Sequence, residues 1–187
     1  MEVIQTKIAD LIILQPKVFM DDRGYFIETY SEKQWSNAGL KYSFVQDNES
    51  KSRKGVLRGL HFQKPPYAQG KIVRVIKGAV MDVAVDLRLD SSTYGEHVCV
   101  ELTEDNKRQF FLPPGFAHGF VTLQEDTIFA YKVSVPYSPE SEACILWNDP
   151  DLHIDWKIKD PILSDKDQIG SSFADFKSPF MKNGGKE

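Results

Sequence analysis

Two segments of the sequence place polar side chains that could do chemistry inside otherwise apolar runs. The first, VLRGLHFQ at residues 56–63, carries Arg58 and His61. The second, PPGFAHGF at residues 113–120, begins with a proline–glycine turn that leads into a strand starting at His118. A neutral imidazole can accept a proton near neutral pH, and a histidine at the mouth of a barrel lies where ligands enter. The alternatives are a hydrogen-bonded core histidine at position 61 and a solvent-exposed loop histidine at position 118.

A lysine and a tyrosine occupy strand positions that favour burial. Lys71 shares its predicted strand face with Val73 and Val75, which is unusual for a lysine in water. Tyr131 lies in the alternating segment 127–133, on the same face as Phe129. The alternative for Tyr131 is a core tyrosine whose hydroxyl group is hydrogen-bonded.

The elements that must position these side chains are predicted to be mostly β-strands. The clearest alternation puts Met81, Val83, Val85 and Leu87 on one face and Asp82, Ala84 and Asp86 on the other. The β-branched run 71–78 precedes it, and the turn at residues 77–79 predicts a hairpin. Further strands are predicted at 25–30, 44–48, 56–62, 96–102, 109–112, 118–123, 127–133 and 144–147. Many short strands separated by turn-forming residues indicate a sandwich or barrel.

Helical signals are confined to two short stretches. Ser31 predicts an N-cap for a helix over residues 32–38, with Gln34 completing a capping box and Gly39 ending the helix. A second helix is predicted to start near Ser164, after Pro161. Residues 182–187 are predicted to be a disordered tail.

The composition is that of a globular protein with one domain, predicted over residues 1–181. The chain has 187 residues, of which 41% are hydrophobic and 27% charged. Its net charge of −4 argues against sequence-independent nucleic-acid binding, although a local basic pocket for a small anion remains compatible with it. No window approaches the roughly 18 apolar residues of a membrane span, and the N-terminus lacks the layout of a signal peptide. We therefore predict a cytoplasmic protein without a membrane or nucleic-acid partner.

The cysteine and histidine content gives no sign of a structural metal site. Cys99 and Cys144 both lie in apolar runs, where a reduced thiol behaves as a small hydrophobic group. The sequence contains neither CxxC nor HxxxH spacing.

Seven segments together resemble the dTDP-4-dehydrorhamnose 3,5-epimerase family, a metal-independent branch of the cupin barrels. They are RGYF at 23–26, FVQDNES at 44–50, VLRGLHFQ at 56–63, QGK at 69–71, PPGFAHGF at 113–120, ILWND at 145–149 and LSDKD at 163–167. The resemblance runs from about residue 2 to residue 168, in the family order. It implies an all-β, jelly-roll cupin barrel with a few short peripheral helices and no cofactor.

The resemblance also implies a reaction. Members invert carbons 3 and 5 of dTDP-4-dehydro-6-deoxy-D-glucose through enolate intermediates, giving the precursor of dTDP-L-rhamnose. Inversion requires a base on one face of the sugar and a proton donor on the other, with a cation near the keto oxygen.

Residues that match the family pattern take these roles. His61 matches the base, Asp167 its orienting carboxylate, Tyr131 the proton donor and Lys71 the group that stabilises the enolate oxygen. The alternative for Asp167 is a capping motif with Ser164 at a helix start. Positions matching substrate contacts are Arg23, Phe26, Glu28, Gln46, Asp47, Asn48, Arg58, Lys71, His118, Glu142 and Lys166, and Tyr137 matches the residue that stacks on thymine. In the family, part of each pocket comes from the partner subunit, so the resemblance implies a homodimer in which Arg23, Phe26 and Glu28 act across the interface.

The spacing of Arg58 and His61 presents a geometric difficulty. Positions three apart on a regular strand point to opposite faces. Either Gly59 forms a bulge that redirects the chain, or Arg58 reaches the pocket of a neighbouring subunit.

Three rival functions remain at the level of sequence. A metal-dependent cupin usually has two histidines one residue apart, whereas Gln63 stands at the second of these positions here. A non-catalytic nucleotide-sugar binding protein could share the fold. A related epimerase acting at carbon 3 alone, or in another deoxysugar pathway, would carry nearly the same catalytic residues.

Overall fold

The structure, a computed structural model, describes residues 1–182, and most of its regular elements are strands. The strands are β1 (Glu2–Gln5), β2 (Ile12–Gln15), β3 (Val18–Asp21), β4 (Gly24–Ile27), β5 (Gln46–Ser52), β6 (Leu57–Gln63), β7 (Lys71–Lys77), β8 (Ala79–Asp86), β9 (His97–Thr103), β10 (Gln109–Leu112), β11 (Phe116–Thr122), β12 (Thr127–Val133) and β13 (Glu142–Cys144). The helices are α1 (Glu32–Asn37) and α2 (Asp165–Gln168), and a 3₁₀ turn spans Pro139–Ser141. Residues 183–187 of the predicted disordered tail lie outside the described part of the chain.

Most strands belong to two antiparallel sheets that face each other across a shared interior. One sheet has the order β1-β2-β10-β7-β12-β5, and the other has the order β13-β6-β11-β8-β9. The core between them includes Val73 and Phe129 from the first sheet and Ala84 and Phe120 from the second. This arrangement is a cupin-type jelly-roll barrel, so the predicted all-β fold class is confirmed.

The predicted hairpin between β7 and β8 is wrong. β7 pairs with β10 and β12, whereas β8 pairs with β9 and β11, so the intervening turn carries the chain from one sheet to the other. Gly78 makes this crossing with a φ of +82°, and a Cβ there would lie 2.5 Å from Thr127 Oγ1. The pattern of apolar residues cannot show whether β7 and β8 pair with each other or join different sheets. In both cases each strand buries its apolar residues.

The alternation in β8 is real, but neither face meets solvent. All eight residues from Ala79 to Asp86 are buried. Met81 and Val83 pack outside the barrel against the C-terminal part of the chain, including Trp156 and Phe180. The polar face, which carries Asp82, is therefore turned toward the interior between the sheets. A carboxylate in such a place has lost its water and depends on nearby charges and donors.

The short helices form close to their predicted positions. In α1, Ser31 Oγ accepts the backbone N–H of Gln34 at 3.5 Å, as expected of an N-cap. The predicted capping box at this helix is wrong, because the Gln34 side-chain amide donates to Glu28 instead. Trp35 fixes α1 to the barrel by packing in a buried cluster with Leu14. None of the helices in residues 1–182 has the length and apolarity needed to cross a membrane.

Strand ends differ from the predictions by up to four residues, and three strands were not predicted individually. The strands predicted at 109–112 and 127–133 match β10 and β12 exactly in extent. The largest shift is in β5, whose residues are polar on both faces, so that alternation of hydrophobicity gives no signal. The N-terminal strands β1, β2 and β3 were missed as separate elements.

The two cysteines differ in their surroundings. Both are free thiols. Cys144 on β13 is partly buried, whereas Cys99 on β9 is exposed. The expectation that both thiols act as buried hydrophobic groups is therefore wrong for Cys99, because the alternation of β9 turns position 99 outward.

Candidate active site

A bulge in β6 decides where Arg58 and His61 point. On the neighbouring β11, Phe120 pairs with Arg58 and His118 pairs with His61, so β6 contains one residue more than its partner between these pairs. Gly59 lies in the bulge with a φ of +143°, and a Cβ on it would lie 2.5 Å from Gly119 Cα. The bulge resolves the difficulty raised by the three-residue spacing.

The Arg58 side chain is exposed and contacts the facing sheet of its own subunit. Its Nη2 atom donates to Ser52 Oγ of the facing sheet at 3.2 Å. Leu60 and Phe62, by contrast, pack in the outer cluster on the opposite side of the strand. The bulge therefore puts Arg58 and His61 on the same side of β6, opposite Leu60 and Phe62.

His61 and Asp167 form a close pair at one wall of this pocket. His61 Nε2 lies 2.9 Å from Asp167 Oδ1, and the Asp167 side chain is only 3% exposed. The carboxylate also accepts the Ser164 hydroxyl at 2.6 Å and the Gly59 N–H at 3.0 Å. Burial opposes ionisation of Asp167, but the adjacent His61 ring and the hydrogen bonds from Ser164 and Gly59 outweigh it and hold the pKa of the carboxyl well below its usual range.

Asp167 makes both of the contacts predicted for it, one with the start of α2 and one with His61. Its Oδ2 atom accepts the backbone N–H of Ser164 at 3.2 Å, which is the capping interaction at the start of α2. Its Oδ1 atom lies against His61. An anionic neighbour at Nε2 favours a proton on that nitrogen and leaves Nδ1 of His61 with its lone pair.

Tyr131 lies on the facing sheet. It pairs with Asn48 on β5 and with Val73 on β7, and its side chain packs against the core between the sheets. Burial raises the pKa of the Tyr131 phenol, although the nearby Arg58 guanidinium acts in the opposite direction. The hydroxyl group therefore keeps its proton at neutral pH and can donate it.

Lys71 supplies a cation between the two sheets. It stands at the start of β7, in register with Leu112 on β10 and Val133 on β12. Burial lowers the pKa of Lys71 to about 8, and the charges of Asp82 and Glu142 oppose this effect. Lys71 is therefore mostly protonated at neutral pH.

A second histidine–carboxylate pair is buried between the two sheets. His118 Nε2 is 3.0 Å from Asp82 Oδ1 and 2.9 Å from Asp82 Oδ2. The His118 ring also stacks on Phe129 with 6.2 Å between centroids. Sequence reasoning found His118 but missed Asp82. The sequence did contain a signal for Asp82, because a carboxylate within a strand as apolar as β8 is expected to be buried.

The mouth of the pocket is lined by a network centred on Glu142. Its Oε2 atom accepts the Tyr137 hydroxyl at 2.9 Å and the Lys166 ammonium at 2.8 Å. Gln46 accepts the Tyr137 backbone N–H at 3.2 Å and donates to Asn48 at 2.8 Å. The network connects β13, the loop after β12, α2 and β5.

Two adjoining cavities open at this mouth. One, of about 160 Å³, is lined by Gln46, Asn48, Gln69, Tyr131, Val133 and Tyr137. The other, of about 320 Å³, is lined by His61, Lys64, Glu142, Ala143, Cys144, Lys166, Ile169, Ser171 and Phe176. His61 borders the second cavity and Tyr131 the first, and the Tyr137–Glu142 hydrogen bond joins the two linings.

Four predicted site residues lie away from this pocket. Asp47 is on the outer face of β5, where Lys132 Nζ lies 2.7 Å from its carboxylate. Arg23, Phe26 and Glu28 lie on or just after the projecting β3–β4 hairpin, and the side chain of Arg23 is 90% exposed. Within one subunit these residues contribute nothing to the pocket.

Gln63, at the position that a metal-binding cupin would give to a histidine, has a structural role here. Its amide nitrogen donates to the carbonyl of Tyr67 at 2.8 Å, and its amide oxygen accepts the N–H of Ser138 at 2.8 Å. These bonds anchor the loop that carries Tyr137. Across residues 1–182, no three His, Cys, Asp or Glu side chains are grouped so that they could hold a metal ion.

Comparison with known proteins agrees with this geometry. The family model described as dTDP-4-dehydrorhamnose 3,5-epimerase matches residues 5–175. The epimerase of that name from Salmonella typhimurium is 54% identical over 169 residues, covering 89% of this chain and 92% of the relative. The one from Shigella flexneri is 52% identical, covering 94% of this chain and 97% of the relative.

The fold is shared with solved structures as well. The crystal structure of dTDP-6-deoxy-D-glucose-3,5-epimerase from Legionella pneumophila in complex with dTDP-4-keto-L-rhamnose has a TM-score of 0.91 and 47% identity, covering 94% of each chain. The fold and these similarities identify a cupin-type isomerase. The chain belongs to the dTDP-4-dehydrorhamnose 3,5-epimerase family.

Proposed function

We propose that this protein inverts carbons 3 and 5 of dTDP-4-dehydro-6-deoxy-D-glucose, giving dTDP-4-dehydro-L-rhamnose, with His61 and Tyr131 transferring protons on opposite faces of the sugar. The observation that carries this proposal is the placement of His61 on β6, next to Asp167 of α2, and of Tyr131 on the sheet that faces β6. An inversion needs proton donors and acceptors on opposite sides of the reacting carbon, and the two sheets supply them.

Each inversion is a pair of proton transfers. Nδ1 of His61 takes the proton from the carbon beside the ketone, and the C–H electron pair moves to form an enolate whose charge is on the keto oxygen. The Lys71 ammonium stabilises that charge. The Tyr131 hydroxyl then gives its proton to the opposite face of the carbon as the ketone re-forms. Exchange with solvent restores His61 and Tyr131 before the second inversion.

The residues around the mouth suit the nucleotide part of the substrate. The guanidinium of Arg58 can pair with a diphosphate oxygen, and the half-exposed ring of Tyr137 offers a stacking surface for thymine. Gln46, Asn48, His118, Glu142 and Lys166 provide polar contacts around them. Since Lys166 and Tyr137 both bond Glu142 in this structure, substrate binding exchanges part of this network for ligand contacts.

We also propose that the active form is a cytoplasmic homodimer. The β3–β4 hairpin exposes Phe19, Met20, Tyr25 and Phe26, an apolar surface that a second subunit would cover. Covering it would carry Arg23, Phe26 and Glu28 to the partner's pocket. Two free thiols are in keeping with a reducing compartment.

The test is incubation of the purified protein with the keto sugar in deuterated water, followed by NMR at each carbon. We expect deuterium at carbons 3 and 5 and formation of the L-rhamno product. Deuterium at carbon 3 alone would identify a 3-epimerase and contradict the proposed double inversion. No exchange at either carbon would identify a binding protein and overturn the assignment of His61 as a base.

A further inference from the structure

His61 has one neighbour on each side within its sheet, and the two neighbours differ in polarity. His61 is in register with His118 on β11 and with Cys144 on β13, and paired residues present their side chains on the same face of a sheet. His118 is bound to the Asp82 carboxylate at 2.9 Å, so this side of His61 is polar. Cys144 forms the other side.

Cys144 behaves as an apolar group in this position. Its thiol donates to the carbonyl oxygen of Ile145 at 3.3 Å, so the thiol hydrogen is already engaged. Burial raises the pKa of the thiol to about 12, so the sulfur carries no charge at neutral pH. A neutral, partly buried thiol resembles a small hydrophobic side chain.

The cavity of about 320 Å³ that His61 borders continues this apolar side. The apolar residues of its lining are Ala143, Cys144, Ile169 and Phe176. Ile169, directly after α2, is 80% exposed although it lines the cavity. A small apolar group that entered the cavity would therefore remove part of the Ile169 side chain from water, which is favourable.

The proposed double inversion brings one apolar part of the sugar to this place. When His61 takes the proton from carbon 5, its imidazole must lie within hydrogen-bond reach of that C–H group. The methyl group of carbon 6 is bonded to carbon 5, so it lies beside His61 during this step. Of the two neighbours of His61 in the sheet, Cys144 is the one that suits a methyl group.

We propose that Cys144 and Ile169 form a site for the methyl group at carbon 6, and that this site makes the protein selective for 6-deoxy sugars over sugars with a hydroxyl group at carbon 6. The inference rests on the proposed function, because it uses His61 as the base at carbon 5. A hydroxyl group in this place would lose its water beside a thiol whose hydrogen is engaged and an isoleucine that offers no hydrogen bond.

The first test measures binding of two unreactive ligands, dTDP-6-deoxy-D-glucose and dTDP-D-glucose, which differ only in the 6-hydroxyl group. By calorimetry, we expect the wild type to bind the 6-deoxy ligand about 10–100-fold more tightly, as is usual for a hydrophobic pocket. Equal affinities for the two ligands would overturn the inference.

Two variants assign this preference to the named residues. Cys144→Ser keeps the size of the side chain but makes it polar, and should reduce the preference by about 10-fold with the affinity for dTDP unchanged. Cys99→Ser is the matched control, since the same change on the exposed thiol of β9 should keep the wild-type preference. Ile169→Asn should also reduce the preference, and its exposed position keeps the proposal testable if Cys144→Ser does not fold. An unchanged preference in either variant, once folded, would contradict the proposed site.

Deuterium exchange with the keto sugar separates this inference from the proposed function. Cys144→Ser should slow the entry of deuterium at carbon 5, which bears the methyl group, more than at carbon 3. Equal slowing at both carbons would show that the thiol affects His61 and not the methyl group. If the wild type exchanges at both carbons but binds the two ligands equally, the methyl site is wrong and the proposed function holds. If it exchanges at carbon 3 alone but prefers the 6-deoxy ligand, the double inversion is wrong and the methyl site holds.

Discussion

The orientation of the His61 imidazole determines which of its atoms can act as a base. Nε2 is 2.9 Å from the Asp167 carboxylate, which leaves Nδ1 to accept a proton. With 30% of its side chain exposed, His61 borders the cavity, while Asp167 is sealed behind it. This division resembles the general pattern of a base oriented by a buried anion, in which the anion holds the tautomer and stabilises the imidazolium.

Replacing His61, the proposed base, should affect turnover far more than binding. We expect His61→Asn to reduce kcat by at least the about 10²–10⁴-fold that general-base catalysis contributes. The affinity for dTDP, measured by calorimetry, should be largely kept because the nucleotide contacts are made elsewhere. His153→Asn is the matched control, since His153 is exposed in a loop outside the pocket. Near-normal turnover in His61→Asn would show that another residue is the base.

The element that brings the site together is the bulged strand β6. Its extra residue turns Arg58 and His61 to one side, and the N–H of Gly59 is bound by Asp167 from α2. The bulge, the helix start and the His61–Asp167 pair are therefore one connected unit. A change in any of these three parts should be felt by the other two.

A side chain in the bulge should disturb this unit. In Gly59→Ala the new Cβ would lie 2.5 Å from Gly119 Cα, in a backbone region that alanine rarely adopts. We expect a loss of stability of about 1–3 kcal/mol or more, together with a steep fall in kcat. Gly39→Ala is the control, because Gly39 also has a positive φ, +84°, but nothing within 4 Å of the added Cβ. Equal thermal melting of the two variants would contradict the close packing of the bulge.

Asp167 should also give the protein an acid-sensitive contribution to stability. Its folded-state pKa lies below the unfolded value, so the stabilisation is complete above about pH 4 and decreases as pH falls further. Thermal melting of the wild type and Asp167→Asn should differ most near neutral pH and converge in acid. A difference that stays constant from pH 7 down to pH 2.5 would show that the Asp167 charge adds nothing to stability.

The sequence predicts elements with strong alternation well and their partners poorly. β10 and β12 were predicted to the residue, because polar turns bound short apolar runs. The partners of β7 and β8 were not, since alternation within a strand carries no information about which sheet it joins. Asp82 was missed because the face it shares with Asp86 resembles a solvated face.

The active-site pair also lay beyond the reach of local patterns. His61 and Asp167 come from distant parts of the chain, and their contact could be expected from the family resemblance alone. The Ser164–Asp167 capping motif was predictable locally, because it depends on a three-residue spacing. The bulge at Gly59 was one of two open alternatives until the register of β6 and β11 was known.

In a single subunit, three of the predicted substrate contacts lie away from the pocket. The pocket has a base, a phenol and a lysine, while Arg23, Phe26 and Glu28 point away on the β3–β4 hairpin, where Phe26 is 68% exposed. The barrel itself shares one core between its two sheets, so we expect residues 1–181 to unfold as a single domain. A dimer would cover the hairpin and complete both pockets.

Mixing two inactive variants tests this sharing of sites. In a dimer of His61→Asn with Arg23→Ala, one pocket has both His61 and the partner's intact Arg23, while the other has neither. Random mixing of equal amounts should therefore restore about a quarter of wild-type activity in a two-fold symmetric dimer. Light scattering at micromolar concentration should give the mass of two subunits. A monomer, or no recovery on subunit exchange, would contradict the shared site.

The central claim, that His61 and Tyr131 act on opposite faces of the sugar, is tested most directly by Tyr131→Phe in deuterated water. This variant keeps the ring packing and removes the hydroxyl group, so His61 can still withdraw a proton and return a deuteron to the same face. NMR should show continued entry of deuterium into the starting sugar with a steep loss of epimerised product, whereas His61→Asn should lose both. Normal epimerisation by Tyr131→Phe, or loss of exchange together with product, would contradict the assignment.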